Sequence, residues 1–189
     1  MVSATRPTPL HTVDSHLSAT DQASLLNGEI LMQTRSHSLI GAGVTARMFL
    51  PTPRPQAWTQ LTHYPSWTQF FPDINRSEVL STVDRSSSVE HRLHQTARKD
   101  FFLLAVQVEI YMKVTETQDQ RLRFQFERGS FSDFSADLTL QDYGPGTILT
   151  YSVEATPLIP VPSLFIQEAI RHDLPSNMRQ MRQVICAAG

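Results

Sequence analysis

Two histidines three residues apart, His91 and His94, are the first candidates for chemistry in this sequence. An HxxH pair binds zinc only when both imidazoles reach one ion. The surrounding stretch, "SVEHRLHQTA", alternates between polar and apolar residues as a strand does, and residues three apart on a strand point to opposite faces. We therefore expect no metal site at this pair, and no metal or cofactor elsewhere in the chain.

A second kind of chemistry, acid and base catalysis, is open to polar residues that share a face with apolar ones. His91 and Gln95 are odd-numbered like Leu93, so all three fall on one face of the predicted strand. Tyr151 shares a strand face with the apolar residues Leu149 and Val153 in the same way. Each is interpreted either as a group that orients a ligand oxygen or as a hydrogen-bonded core residue. In an enzyme, His91 would be the base and Tyr151 the acid or the donor to an oxyanion.

Other reactive residues give weaker signals. Cys186 has no base near it in the sequence, and His172 with Asp173 is typical of a solvated pair on a helix. The sequence has no GxSxG, Walker, GxGxxG or HExxH motif. It therefore predicts neither a nucleophile nor a nucleotide site.

Length and charge limit the classes of protein to consider. A chain of 189 residues fits one domain, and 16 Lys and Arg against 18 Asp and Glu provide no strong field for nucleic acid. One cysteine permits no internal disulfide, which favours the cytoplasm. We expect residues 1–28 to be a flexible extension and residues 29–189 to form the domain.

The most apolar stretch, "FFLLAVQVEIYMKV" at 101–114, predicts a strand. It is shorter than the ~20 residues that cross a bilayer and contains Glu109 and Lys113. Its even-numbered residues are apolar while most odd-numbered residues after 106 are polar, which is a period of two. Three later segments alternate in the same way, at 121–127, 134–141 and 149–155, with Gly129 placed where a bulge would bend the chain.

The remaining segments complete an α+β arrangement. "LIGAGVTARMFL" predicts a first strand, Pro53 and Pro55 favour short helices after it, and "RSEVLSTV" and "SVEHRLHQTA" predict two weaker strands. Ser163 is expected to cap a C-terminal helix, which Pro175 would kink. The sequence thus predicts about seven antiparallel strands and one long amphipathic helix.

A resemblance to a known family covers roughly residues 40–186 and rests on the stripe of the last helix together with Pro51, Trp58, Leu61, Tyr64, Trp67, Phe70, Pro72 and Leu80. With these residues the layout resembles the START-like (SRPBCC) superfamily, and within it the polyketide cyclase/dehydrase and coenzyme-Q-binding type of single-domain protein. It implies a helix-grip fold, in which a curved sheet wraps around the long helix. It also implies a cavity between them for a small hydrophobic ligand.

The side chains expected to line that cavity lie on the inner face of the sheet, the short helices and the last helix. They are Trp67, Phe70, His91, Gln95, Val106, Val108, Ile110, Met112, Phe124, Phe126, Phe134, Leu138, Tyr151, Val153, Ile166, Ile170, Leu174 and Met178.

Three functions remain open from the sequence. The first is binding, as carriage or sequestration, of a quinone, isoprenoid, lipid or polyketide, with transient membrane contact through "PLIPVP" at 157–162. The second is a polyketide cyclase or dehydratase that uses His91 and Tyr151. The third is a protein-interaction module with an apolar patch at Trp58 and Trp67 or at the start of the 101–115 strand. The oligomeric state is left open.

Overall fold

A single open, curved, antiparallel sheet is the main element of the chain. The computed structural model describes residues 17–38, 41–86, 88–101, 104–158 and 169–187, without the side chains of 99–106 and 169. Within these ranges there are eight strands, in the spatial order β1-β2-β8-β7-β6-β5-β4-β3. They are β1 (Leu31–Ser36), β2 (Ala42–Leu50), β3 (Ile74–Arg85), β4 (Ser88–Phe101), β5 (Leu104–Thr117), β6 (Arg121–Gly129), β7 (Phe131–Tyr143) and β8 (Gly146–Pro157).

One face of the sheet, called the inner face here, carries the core. The alternation predicted for the 101–114 stretch is confirmed where side chains are described: Ile110, Met112 and Val114 are buried. Leu122 and Phe124 continue this core on β6. The period of two arises because the inner face packs against helices while the opposite, outer face meets solvent.

The strand count differs from the expected seven because β1 was missed. Its sequence, LMQTRS, pairs antiparallel with β2, and its last four residues are exposed. An edge strand with so little one-sided burial leaves no hydrophobic period in the sequence. The helix-grip architecture itself is as predicted.

A bulge near the end of β6 changes the face of the sheet on which Arg128 lies. Tyr111 pairs with Arg128 and Met112 pairs with Phe126, so Glu127 is the extra residue. The inserted residue reverses the parity of the rest of the strand, and Arg128 lies on the outer face with its guanidinium carbon 3.6 Å from the Tyr111 ring centre. Parity counted through Phe126 would have placed Arg128 on the inner face.

Short helices and the C-terminal helix pack against the sheet. They are α1 (Ala19–Leu26), α2 (Arg54–Leu61), a 3₁₀ turn (Tyr64–Ser66), α3 (Trp67–Phe70), a π-helical turn (Ala169–Asp173) and α4 (Leu174–Ala187). Met178, Met181 and Ile185 of α4 are fully buried in the same core cluster as the sheet residues. The predicted apolar stripe of the last helix is therefore confirmed for its described part.

The irregularity expected at Pro175 occurs as a π-helical turn immediately before α4. Proline has no amide hydrogen, and its ring collides with the carbonyl four residues earlier in a regular α-helix. A wider turn relieves that collision. Ser163, the expected cap, and Ile166 lie outside the described residues.

The N-terminal part of the chain contains a helix that the sequence did not predict. The Ser18 hydroxyl accepts a hydrogen bond from the Asp21 amide, and the Asp21 carboxylate accepts one from the Ser18 amide, which together cap α1. Leu25 is buried, and the Tyr143 hydroxyl donates to Gln22 at 2.9 Å. The division of the chain at residue 28 stays a prediction, since residues 1–16 lie outside the described ranges.

Candidate functional site

A cavity of about 170 Å³ lies between the inner face of the sheet and α3. Its described wall comes from the α3 region, from the start of β3 and from β4 to β8. The lining residues are Trp67, Phe71, Ile74, Gln95, Thr96, Ala97, Val108, Ile110, Met112, Phe124, Phe131, Phe134 and Tyr151. None of the described α4 residues belongs to this wall, and residues 159–168, which include part of the predicted C-terminal helix, lie outside the described ranges, so the predicted contact of the cavity with that helix stays a prediction.

The walls of the cavity are mainly aromatic and aliphatic. The Trp67 ring centre lies 5.1 Å from that of Phe124 and 5.7 Å from that of Phe71. The Trp67 indole N–H donates to the Leu61 carbonyl oxygen at 2.9 Å, so its polar atom is already paired. Such a surface favours apolar ligands and offers few hydrogen bonds to orient them.

Tyr151 brings a polar group into this apolar space. The residue is only 8% exposed, and its ring packs 6.2 Å from Phe71. Burial raises the pKa of its phenol to about 12. Its hydroxyl has no hydrogen-bond partner among the described residues, and a protonated phenol in an apolar site is a donor available to a ligand oxygen.

Gln95 is the second polar group at the cavity, and a hydrogen bond to a residue outside the cavity wall fixes its orientation. Its side-chain amide nitrogen donates to the Ser77 hydroxyl oxygen at 3.0 Å. The Ser77 hydroxyl in turn donates to the Tyr64 carbonyl oxygen at 2.7 Å. Gln95, Ser77 and Tyr64 are all buried, which makes this an internal chain of hydrogen bonds.

His91 does not line the cavity, and the predicted pair with Tyr151 is not assembled there. Its Nε2 lies 3.0 Å from a Glu116 carboxylate oxygen, and its Nδ1 lies 2.9 Å from the Thr82 hydroxyl. The Tyr64 hydroxyl donates to the same Glu116 oxygen at 2.6 Å. Burial, this hydrogen bond and the Glu116 charge raise the pKa of Tyr64 above its ordinary value. His91 therefore belongs to a network beside the cavity, which we call the Glu116 network.

We expect Tyr64→Phe to lower the free energy of unfolding by about 2 kcal/mol, because it removes the shorter of the two contacts that a buried carboxylate oxygen makes and leaves only His91 beside it. Urea denaturation followed by circular dichroism measures this change. The matched control is Tyr143→Phe, which removes a phenol that bonds only a half-buried amide oxygen. Equal losses in the two variants would contradict a special role for the Glu116 network.

His94 lies on the other side of the sheet, as the HxxH spacing predicts for a strand. Its ring stacks on Tyr111 with ring centres 4.4 Å apart, and its Nε2 lies 2.8 Å from a Glu109 oxygen. Hydrogen bonds from Tyr111 and His94 hold the pKa of Glu109 below its usual range. Across the described part of the chain, no group of three or more His, Cys, Asp or Glu is placed to hold a metal ion.

The predicted ligand contacts divide into three groups. Those that line the cavity are Trp67, Gln95, Val108, Ile110, Met112, Phe124, Phe134 and Tyr151. Those that the structure places elsewhere are Phe70, His91, Phe126, Leu138, Val153, Ile170, Leu174 and Met178. The Val106 side chain and Ile166 fall outside the description.

Five lining residues were not predicted: Phe71, Ile74, Thr96, Ala97 and Phe131. Ala97 shares the parity of Gln95 along β4, and that signal was sufficient to find it. Phe131 comes after the β6 bulge and Gly129, where counting by parity fails. Phe71 and Ile74 flank the turn between α3 and β3, where no period applies.

The other predicted surfaces are described only in part, since the side chains at the start of the 101–115 strand lie outside the description. Trp58 and Trp67 are buried, so they form no exposed patch for a partner protein. Leu158 of the "PLIPVP" segment is exposed, and residues 159–162 lie outside the described ranges. No helix in the described part of the chain is long and apolar enough to span a bilayer.

Comparison with known proteins identifies the family. A family model described as "Polyketide cyclase / dehydrase and lipid transport" matches residues 50–182, which is well over half of the chain. The chain belongs to this family. No curated protein sequence matches it.

Solved structures of the START superfamily share the fold. A STAR-related lipid transfer protein from Xanthomonas axonopodis has a TM-score of 0.65 at 16% identity, with 82% of this chain and 93% of that chain covered. Human STARD10 has a TM-score of 0.64 at 11% identity, with 84% and 69% covered. The ZhuI aromatase/cyclase from a Streptomyces species has a TM-score of 0.58 at 11% identity, with 82% and 94% covered. At these identities the likeness concerns the fold alone.

Proposed function

We propose that this protein binds a small hydrophobic ligand in the cavity between α3 and the sheet, and thereby carries or sequesters it. The observation that supports this most is an aromatic cavity that contains one unpaired, buried phenol, Tyr151. A ligand oxygen that accepts from this phenol would gain a hydrogen bond that the apolar walls do not offer. The family description, which includes lipid transport, agrees with this function.

The size of the cavity sets the part of the ligand that it accepts. An engineered apolar cavity of about 150 Å³ holds one benzene molecule, so about 170 Å³ suits a single substituted ring. A quinone, isoprenoid or polyketide would place one ring or branch here and extend beyond it. Burial of its apolar surface would supply roughly 25 cal/mol per Å².

Binding without catalysis fits the lining better than the cyclase alternative. Tyr151 is the only ionisable residue among the described lining residues, and a phenol with a pKa of about 12 is a weak proton donor near neutral pH. His91, the base that a cyclase was expected to use, takes part in the Glu116 network instead. The described lining of the cavity thus contains a hydrogen-bond donor without a base beside it.

Calorimetry with p-cresol, a single ring of suitable size, tests the proposal. We expect saturable binding to the wild-type protein and roughly tenfold weaker binding to Tyr151→Phe, because the ring is retained and only the hydroxyl is lost. Since the pKa of Tyr151 is about 12, the difference should stay constant from about pH 6 to about pH 9.

The result that would contradict binding is specific. A wild-type protein that takes up neither p-cresol nor the hydrocarbon p-xylene would have a filled or inaccessible cavity. Organic extraction of the purified protein, with mass spectrometry of the released molecules, gives the natural ligand directly. A released quinone, isoprenoid, lipid or polyketide would support the proposal.

A further inference from the structure

The hydrogen-bond chain behind Gln95 determines which end of its amide meets the cavity. The Ser77 hydroxyl has one hydrogen, and the Tyr64 carbonyl oxygen at 2.7 Å can only accept it. Ser77 must therefore accept from Gln95, which only the amide nitrogen can satisfy. A reversed amide would set two acceptors against each other and would break this chain.

The amide oxygen is consequently directed away from Ser77. Gln95 lines the cavity, and its Oε1 has no hydrogen-bond partner among the described residues. Among those residues, only Arg54 Nε is both sealed from solvent and unpaired, so Gln95 Oε1 is accessible at the cavity. The cavity thus presents a fixed acceptor at Gln95 and a donor at Tyr151.

We infer that the ligand carries a hydroxyl group at the end that enters this cavity, and that Gln95, oriented by Ser77, selects it. This inference rests on the proposed function and names its ligand class more closely. A hydroxyl can donate to the Gln95 oxygen, which only accepts. A methyl ether, ester or quinone carbonyl can only accept hydrogen bonds. It therefore cannot bond the Gln95 oxygen, which is also an acceptor.

Ser77 acts as a positioning residue in this scheme. Its hydroxyl bonds Gln95 and the Tyr64 carbonyl, and it is not among the residues that line the cavity. Loss of that hydroxyl removes the reason for one amide orientation over the other. A rotated amide would offer N–H groups to the cavity and would reverse the preference toward ligands that only accept.

The experiment compares p-cresol with its methyl ether and with p-xylene by calorimetry on the full chain. In the wild-type protein we expect p-cresol to bind about tenfold more tightly than the ether. Gln95→Leu should remove most of that preference while p-xylene binds at least as well as before. Ser77→Ala should reduce the preference without changing a residue of the cavity wall, and Ser77→Thr, which keeps a hydroxyl, should restore it.

The outcomes separate this inference from the proposed function. Equal binding of all three compounds to the wild-type protein would overturn the inference and leave the binding function intact. A hydroxyl preference that survives in Gln95→Leu would also overturn it. Failure of all three compounds to bind would overturn the proposed function itself. Gln95→Leu places an apolar side chain in an apolar wall, so it keeps the test available if Ser77→Ala does not fold.

Discussion

Gly129→Ala is expected to lower the free energy of unfolding by about 3 kcal/mol or more. Gly129 has a φ of 143°, which residues with a side chain rarely adopt. A Cβ atom there would lie 2.2 Å from the Glu109 carbonyl oxygen and 2.9 Å from the Ile110 Cα. Both are backbone atoms of β5, so the strand that carries Ile110 into the cavity wall would have to move. Urea denaturation measures the loss.

Gly144→Ala is the matched control for this substitution. Gly144 also has a positive φ, 56°, but a Cβ atom there meets nothing within 4 Å. The cost should be limited to the conformational term of about 1–2 kcal/mol. Equal destabilisation by the two substitutions would show that the contact between β6 and β5 at Gly129 is not the source of the effect.

Ala97→Phe is expected to abolish ligand binding while the protein stays folded. Ala97 lies on β4 opposite Val108, and both line the cavity. A phenyl ring on that position occupies the space that a ligand ring would use. The affinity for p-cresol should fall well beyond tenfold, to the limit of calorimetric detection. The urea midpoint should change little, because the added ring enters existing space.

Val83→Phe tests whether any added phenyl ring on the sheet has this effect. Val83 lies on the edge strand β3, is 49% exposed, and does not line the cavity. Its variant should bind p-cresol as the wild type does. Normal binding by Ala97→Phe would contradict the location of the site.

The sheet could be predicted because one-sided burial imposes a period on the sequence. Ile110, Met112 and Val114 are buried on one face, and polar residues alternate with them, so the strand is evident from the residues alone. The stripe of Met178, Met181 and Ile185 on α4 is visible for the same reason at the helical period. β1 was missed because its residues are mostly exposed and carry no such period.

The cavity could be predicted only in part, because the pattern does not tell a packed apolar residue from one beside an empty space. Phe70 and Phe71 show the difference: Phe70 was expected to contact ligand, yet it is fully buried in the core, and Phe71 lines the cavity. How α3 lies on the sheet decides between them, and that fit depends on many distant side chains at once. His91 has the inward parity that was predicted, but Glu116 and Thr82 bind it beside the cavity.

Methyl NMR on methionine-labelled protein tests the central claim most directly. Met112 lines the cavity, whereas Met48, Met178 and Met181 are buried in the core outside its wall. Addition of p-cresol should shift the Met112 methyl signal in a saturable way and leave the three core methionines nearly unchanged, and Ala97→Phe should remove the response. A Met112 signal that does not move at saturating p-cresol would contradict a ligand site between α3 and the sheet.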